Sequence, residues 1–411
     1  MSASLLSDTL EADEAGAARE RLRRLDGEIA ERLADQARRI ADQTTVDMSA
    51  ILAAVPPGVA VIAYALAERE LAIFVLAHGR IEVARVPGAL ARLRTHTRHL
   101  EARLDGYATA ARSPDTVALS DGLPADPTLA DIQADLRGLW AVLLEPVEAS
   151  LPTDGEALLF VPHGELHALP LAALFDGARY VAERWVTCCL SSCQTLLPHA
   201  PTTPAAHEPT SPAPPASASL RSLLAIGYAS ATRDLPQVTR EAMRVAAQTG
   251  GASLVGEHAT LEQLRAEAPG RGYLHLAAHG AVRLDIPNSS YIELADGLLH
   301  PLDAQTLPLQ ECRLVVLSAC ETGRGRTAGG DDQVGLVRAF GLAGARAVLA
   351  TLWRVDDVAS IVLMELFYER LAAGATPASA LSAAQRAFSA GAGGDALRSP
   401  YYWASYQLVA C

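Results

Sequence analysis

His279 and Cys320 are the two residues whose types and surroundings could do chemistry together. His279 follows the apolar run "GYLHLAA" and precedes Gly280, and Cys320 follows "CRLVVLSA" and precedes the glycine-rich "ETGRG". A thiol becomes a strong nucleophile only as the thiolate, and a neighbouring imidazole can accept its proton. The pair therefore predicts covalent catalysis at Cys320, with His279 as the base.

The two apolar runs are typical of buried strands, and the two residues come where the strands end. In parallel sheets the carboxyl ends of the strands carry the chemistry. The separation, 320 − 279 = 41 residues, leaves room for an inserted hairpin and a crossover. If the strands are neighbours, the backbone N–H groups of Gly280 and Cys320 could stabilise an oxyanion. A lone cysteine or histidine is usually a packing residue, but the combination favours catalysis.

The elements that must position this pair form a regular pattern after residue 220. Strand-like and helix-like segments alternate to the end of the chain, with "SSYIELADGLLH" as an inserted hairpin and Thr239 as the N-cap of a helix. This alternation predicts a doubly wound α/β domain with a mostly parallel sheet over residues 220–411.

The first half of the chain is less regular. Residues 1–47 read as a helical arm, and residues 48–197 as an α/β half with an antiparallel hairpin or meander between 58 and 87. Helices are expected over about 89–104 and 128–150. Residues 198–219 are rich in proline and predict an exposed linker. The two halves should share a large interface, because the first has few strong strands.

Composition excludes several classes of protein. The 411 residues carry a net charge of −13, and all 34 basic residues are arginine. A P-loop ATPase, a Schiff-base enzyme or a Ser-Lys hydrolase would need a lysine, and the acidic balance argues against nucleic-acid binding. No signal peptide or membrane span is predicted, and the six cysteines match no zinc or disulfide framework. A reducing cytoplasm is expected, and the proposed chemistry requires no metal or organic cofactor.

Several stretches resemble one family. "YLHLAAHG", "VVLSACETGRG", "RAFGLAGARAVLATLWRVDD", "YYWASYQLVA" and the earlier "PHGELHALPLAALFDGARYVAER" are similar to the CHAT domain, a caspase-like peptidase group akin to caspases and separases. The resemblance runs from about Val59 to Cys411. It implies a caspase-like cysteine endopeptidase with His279 as base and Cys320 as nucleophile. It also implies that the N-terminal half is a degenerate partner of the catalytic half.

Two features depart from that family's pattern. Tetratricopeptide repeats often precede a CHAT domain, and none is recognisable here, so the usual sensor or scaffold would be either a separate regulatory or sensor protein or a region outside this sequence. The stretch "GGDDQ" stands where a Gly-Glu type of sequence is common. The role of that loop therefore stays open.

Five residues beside the dyad are candidates for the substrate pocket. Arg233 and Asp234 lie on the loop that, in caspase-like folds, borders the pocket for the residue before the scissile bond. Asp356 and Asp357 follow a strand and read as a helix cap, although one of them could also floor a pocket for a basic side chain. Trp353 reads equally as a pocket wall or as core.

Two pairs of histidines with a spacing of four residues could suggest a metal site. His275 and His279 would share one face of a helix, but the surrounding run favours a strand, on which they lie about 13 Å apart. His163 and His167 lack the H-E-x-x-H pattern and read as part of a turn.

The sequence thus predicts a cytoplasmic cysteine endopeptidase that cuts a dedicated protein partner through a thioester. By resemblance, its setting would be bacterial defence or regulated cell death. A non-catalytic caspase-like interaction module is the alternative, and a thiol acyltransferase a third possibility.

Overall fold

The computed structural model describes residues 47–110, 129–197, 220–229, 236–281, 290–318, 335–353 and 356–411. In these ranges, one eleven-stranded sheet carries helices on its faces, and a three-stranded sheet lies beside it. The predicted arm, the linker and the segment with Cys320 fall outside the described residues, apart from Asp47.

The N-terminal half contains five strands and four helices within its described residues. The strands are β1 (Val59–Leu66), β2 (Glu70–Ala77), β3 (Arg80–Pro87), β4 (Ala157–Val161) and β5 (Val186–Leu190). The helices are α1 (Met48–Ala54), α2 (Ala89–Ala110), α3 (Leu129–Leu143) and α4 (Val181–Arg184).

The C-terminal half supplies the remaining elements of the described chain. Its strands are β6 (Leu223–Tyr228), β7 (Ala252–Val255), β8 (Tyr273–Ala278), β9 (Gly280–Ala281), β10 (Tyr291–Leu294), β11 (Gly297–Leu299), β12 (Leu314–Leu317), β13 (Ala347–Thr351) and β14 (Tyr406–Ala410). Its helices are α5 (Pro236–Thr249), α6 (Leu261–Glu267), α7 (Pro301–Ala304), α8 (Gly335–Leu342), α9 (Asp357–Ala372), α10 (Pro377–Ser389) and α11 (Pro400–Trp403).

The main sheet has the strand order β3-β2-β1-β4-β5-β14-β13-β12-β8-β6-β7. Only β3–β2, β2–β1 and β14–β13 are antiparallel pairs. The central strands β8 and β12 are buried at every position, as expected for strands covered on both faces. The predicted fold class, α/β with a mostly parallel sheet, is confirmed.

The antiparallel hairpin or meander that the sequence predicts between 58 and 87 is present as a three-stranded meander, β1, β2 and β3. His78 and Gly79, with φ of 51° and 70°, connect β2 to β3. Two consecutive residues with positive φ make a type I′ turn, whose twist matches that of a two-stranded ribbon. The predicted hairpin is likewise present, as β10 and β11, and β9 joins it to complete the small sheet.

The two halves share one sheet and one hydrophobic core. β5 pairs in parallel with β14, with Cys189 opposite Val409, and the ring of Tyr180 meets that of Trp403 edge-on at 5.1 Å. Ser389 Oγ donates to Glu183 Oε1 over 2.8 Å. The expected large interface between the halves is therefore confirmed, while the boundaries at 47, 197 and 219 stay predictions.

Some local predictions were wrong. Helix α5 begins at Pro236, so Thr239 lies inside it and is not its N-cap; a proline in the first turn of a helix has no N–H to lose. The helix expected over 128–150 ends at Leu143 and is followed by the 3-10 helix Glu145–Ser150, because Pro146 cannot continue an α-helix. The helix expected over 89–104 continues to Ala110. Among the described residues, no helix is long and apolar enough to cross a membrane.

Candidate active site

The strands that precede His279 and Cys320 are direct neighbours, which is the arrangement that the predicted dyad requires. β8 and β12 run parallel, with Leu276 opposite Leu317. The pairing continues one residue further, since Ser318 N donates to Leu276 O over 2.9 Å. The carboxyl ends of both strands therefore meet at the same edge of the sheet.

His279 occupies the point where the chain leaves the main sheet. Its side chain is buried, and its carbonyl oxygen accepts the Glu293 N–H over 2.7 Å. The next residue, Gly280, begins β9 and lies opposite Ile292 of β10. Because the chain changes sheets here, His279 stands at the boundary between the two sheets.

The register of the small sheet determines the direction of the Gly280 N–H. The Glu293–His279 bond makes Gly280 and Ile292 a non-hydrogen-bonded pair of the antiparallel ladder. In such a pair the backbone N–H points away from the partner strand. The Gly280 N–H thus points away from β10. An oxyanion donor must not be used in the hydrogen bonds of the sheet, and this direction meets that condition.

Cys320 lies outside the described residues, and so do Arg233 and Asp234. The chain is described as far as Ser318, which is buried, and its hydroxyl has no hydrogen-bond partner in the described part of the chain. By sequence count, Cys320 follows Leu317 by three residues, as His279 follows Leu276. The predicted roles of Cys320 and Asp234 stay predictions.

The five described cysteines have the properties of packing residues. Burial raises the pKa of the Cys188 thiol to about 12 and the pKa values of Cys312 and Cys411 to about 11. Burial also raises the pKa of Cys189 and of Cys193 above the ordinary value. A thiol with a raised pKa is a poor nucleophile near neutral pH. None of these five suits catalysis.

Asp356 is an N-cap, which confirms the capping interpretation. Its Oδ1 accepts the backbone N–H groups of Val358 and Ala359, each over 3.0 Å, at the start of α9. Both bonds use the same carboxylate oxygen. Asp356 thus has a structural role, and its proposed contact with substrate stays a prediction.

Trp353 is half-buried and packs against the main core. Its Nε1 donates to the Tyr401 carbonyl oxygen over 2.9 Å, which holds the ring against α11. This geometry fits the core interpretation, and a role as a pocket wall stays a prediction.

The two histidine pairs with a spacing of four residues lie in a turn and at a strand, and neither pair lies on an α-helix. His163 Nδ1 accepts the Leu66 N–H over 3.2 Å, and His167 lies in the 3-10 helix Gly164–Ala168, so this stretch is the turn that the sequence predicts. His275 lies in β8, so it shares no helix face with His279.

Sequence reasoning missed the partners of His275. The ring is fully buried between Glu241 of α5 and Tyr368 of α9. A histidine within an otherwise apolar strand signals that it needs a buried polar partner. The sequence does not indicate which distant side chains supply that partner.

The fold and this edge of the sheet define an α/β protein with a histidine that follows the carboxyl end of a parallel strand. The CHAT domain family matches residues 133–410. That is more than half of the chain, and the chain belongs to this family.

Two curated relatives are similar to this chain over a small part of their own length. Tetratricopeptide repeat protein 28 of Mus musculus is 27% identical over 329 residues, which cover 67% of this chain and 13% of that protein. Its Homo sapiens counterpart is 26% identical with the same coverage. The chain thus spans 13% of the length of these relatives.

Two solved structures are similar at low sequence identity. The separase–securin complex of Saccharomyces cerevisiae matches with a TM-score of 0.49 and 10% identity, covering 88% of this chain and 30% of that chain. The Arg-specific cysteine proteinase gingipain R matches with a TM-score of 0.41 and 9% identity, covering 70% of this chain and 68% of that chain.

Proposed function

We propose that this chain is a cysteine endopeptidase in which His279 activates Cys320. The observation that carries the proposal is the pairing of β8 with β12, because it brings the end of the His279 strand beside the end of the Cys320 strand. Membership of the CHAT family supports the same assignment.

The chemistry needs only these groups and a water molecule. His279 takes the proton of the Cys320 thiol, and the thiolate attacks the scissile carbonyl carbon. The N–H groups of Gly280 and Cys320 stabilise the resulting oxyanion. When the intermediate collapses, the C–N bond breaks and the imidazolium gives its proton to the leaving amine. Water, deprotonated by His279, then hydrolyses the thioester and restores the thiol.

The proposed substrate is a dedicated protein partner, cut at one site. Asp234, Asp356 and Trp353 are the candidate pocket residues. The relatives are named for tetratricopeptide repeats, which supports a regulatory or sensor protein that acts on this domain. Bacterial defence or regulated cell death is the setting that we propose for this activity.

The test combines cysteine labelling with cleavage. Iodoacetamide at pH 7, followed by mass spectrometry, should alkylate Cys320 before any of the other five cysteines, and His279→Ala should slow that alkylation. A peptide library from a bacterial proteome should be cleaved by the wild type and left intact by Cys320→Ala. Cys312→Ala is the matched control, since Cys312 is buried in the same half.

Two outcomes would contradict the proposal. If Cys320 reacts no faster than Cys193 and the library stays intact, the chain is a non-catalytic interaction module. If Cys320 reacts rapidly and transfers an acyl group to an added amine without cutting any peptide, the chain is an acyltransferase.

A further inference from the structure

Three buried polar side chains join α5, β8 and α9. His275 Nδ1 lies 2.9 Å from Tyr368 Oη, and His275 Nε2 lies 3.2 Å from Glu241 Oε1. His275 and Tyr368 are fully buried, and only 7% of Glu241 is exposed. We call these three residues the Glu–His–Tyr network. The proposed chemistry uses none of them.

One hydrogen bond and one close contact join the three side chains. Burial, and secondly the Glu241 charge, raise the pKa of Tyr368 well above its ordinary value, so the phenol keeps its proton. Tyr368 Oη has no other hydrogen-bond partner among the described residues, so it donates to Nδ1. On the other side of the ring, Nε2 lies near Glu241 Oε1, but neither atom forms a hydrogen bond within the described residues. The network is thus a hydrogen bond from Tyr368 to His275, with the Glu241 carboxylate in contact with the opposite edge of the ring.

The network helps to hold α5 and α9 on the sheet. The hydrogen bond from Tyr368 to His275 ties α9 to β8, because hydrogen bonds are directional, and Glu241 brings α5 against the same imidazole.

Two further contacts hold α5. A Cβ on Gly227 of β6 would lie 2.8 Å from Ala242 Cβ, so α5 packs closely on that strand. On the outer side, Gln248 Nε2 donates to the Glu365 carbonyl oxygen over 3.1 Å. The inner and outer contacts together hold α9 against α5 and β8.

The network connects the two parts of the proposed site. His275 precedes His279 by four residues of extended chain, about 13 Å. Tyr368 follows Asp356 by twelve residues, about 18 Å along α9. A shift of α9 at Tyr368 would therefore move the start of that helix relative to the base.

We propose that Glu241, His275 and Tyr368 are positioning residues that hold the start of α9, with Asp356, in register with His279. This inference rests on the proposed function, because it assigns the start of α9 to the substrate pocket. The network acts through the pocket and not on the dyad, so its loss should weaken substrate binding and leave the Cys320 thiol unchanged.

The test uses Tyr368→Phe, which removes one hydroxyl and leaves Nδ1 without a donor. We expect KM for a peptide cleaved by the wild type to rise about fivefold to tenfold with kcat nearly constant. The rate and pH profile of Cys320 alkylation by iodoacetamide should not change, because that reagent needs no pocket. A KM within twofold of the wild type, or a slower alkylation, would overturn the proposal.

A matched control separates positioning from general loss of stability. Tyr64→Phe removes another buried hydroxyl, which donates to the Leu143 carbonyl oxygen in the N-terminal half, and it should leave KM unchanged. Glu241→Gln keeps the size of the side chain beside Nε2 and should stay close to the wild type, whereas Glu241→Ala removes that contact and should raise KM as Tyr368→Phe does. If Glu241→Gln instead shifts the pH profile of Cys320, the network acts by charge and positioning is the wrong account.

Hydrogen exchange provides a measurement that does not require peptidase activity. In Tyr368→Phe, the amides of residues 358–360 should exchange faster than in Tyr64→Phe, since α9 has lost its inner anchor. Should Tyr368→Phe fail to fold, Glu241→Ala takes its place in every measurement. A wild type that neither cleaves peptides nor labels at Cys320 would refute the proposed function, while unchanged exchange in the variant would refute the positioning role.

Discussion

At the residue scale, the pH dependence of labelling should separate the nucleophile from the packing cysteines. Cys411 has a pKa raised by burial to about 11, so its thiolate fraction, and with it its alkylation rate, should rise about tenfold per pH unit from 7 to 10. Cys320, activated by His279, should already react near its maximal rate at pH 8. Mass spectrometry of the alkylated peptides at each pH measures both rates.

The opposite pH dependence of Cys320 alkylation would refute the dyad. If Cys320 shows the same steep rise as Cys411, then no imidazole lowers its pKa, and the dyad is wrong. His279→Ala provides the reference, because it should give Cys320 the steep profile of an unassisted thiol.

Asp356 caps α9 and is also a proposed pocket residue, and two substitutions distinguish these two roles. Asp356→Asn should keep the bonds to Val358 and Ala359, because Asn is also a good N-cap, but it removes the charge. If this carboxylate selects Arg or Lys before the scissile bond through a charge-assisted hydrogen bond, a peptide-library profile of the Asn variant should lose that preference. A profile unchanged by the substitution, or one favouring apolar residues in the wild type, would leave Trp353 as the better pocket candidate.

At the element scale, the same position contributes to the stability of α9. Asp356→Ala removes both capping bonds and should lower the free energy of unfolding by about 1 kcal/mol, measured by urea denaturation. The Asn variant is the control and should lose little. Equal losses in the two variants would mean that the charge near the helix N-terminus, and not the hydrogen bonds, is what stabilises α9.

The elements around the candidate site were predictable for a physical reason. The strands before His279 and Cys320 are short apolar runs, and the hairpin of β10 and β11 shows alternating hydrophobicity around a turn. These patterns depend on local chain geometry. The start of α5 was not predictable in this way, because Thr239 and Pro236 both occupy positions where a helix could begin, and local preference alone did not choose between them.

At the scale of the whole molecule, the sheet makes the two halves a single structure. β5 pairs with β14, and the hydrophobic core contains residues of both halves, among them Trp185 and Trp403. The linker of residues 198–219, which lies outside the described residues, would then contribute mainly effective concentration, on the order of mM.

This predicts the result of cutting the linker. A protease site inserted near Pro209 and cleaved should leave two fragments that co-elute on size-exclusion chromatography at micromolar concentration, and the nicked protein should still cleave its substrate. An uncut sample of the same variant is the control. Fragments that separate would show that the β5–β14 pairing does not hold the halves together by itself.

The sequence by itself determined the α/β class, the positions of most strands and the placement of His279 and Cys320 after two of them. These features could be predicted because hydrophobic periodicity and glycine-rich strand ends depend only on residues that are close together in the chain. Only the tertiary structure decided that β14 turns back against β13 to join β5, and that Glu241 and Tyr368 meet His275. Backbone hydrogen bonds between strands are the same for almost any residue, so a strand's pattern does not name its neighbour or its direction. A buried polar side chain likewise demands a partner without specifying which one, and Glu241 and Tyr368 reach His275 only because the chain packs both of their helices against β8.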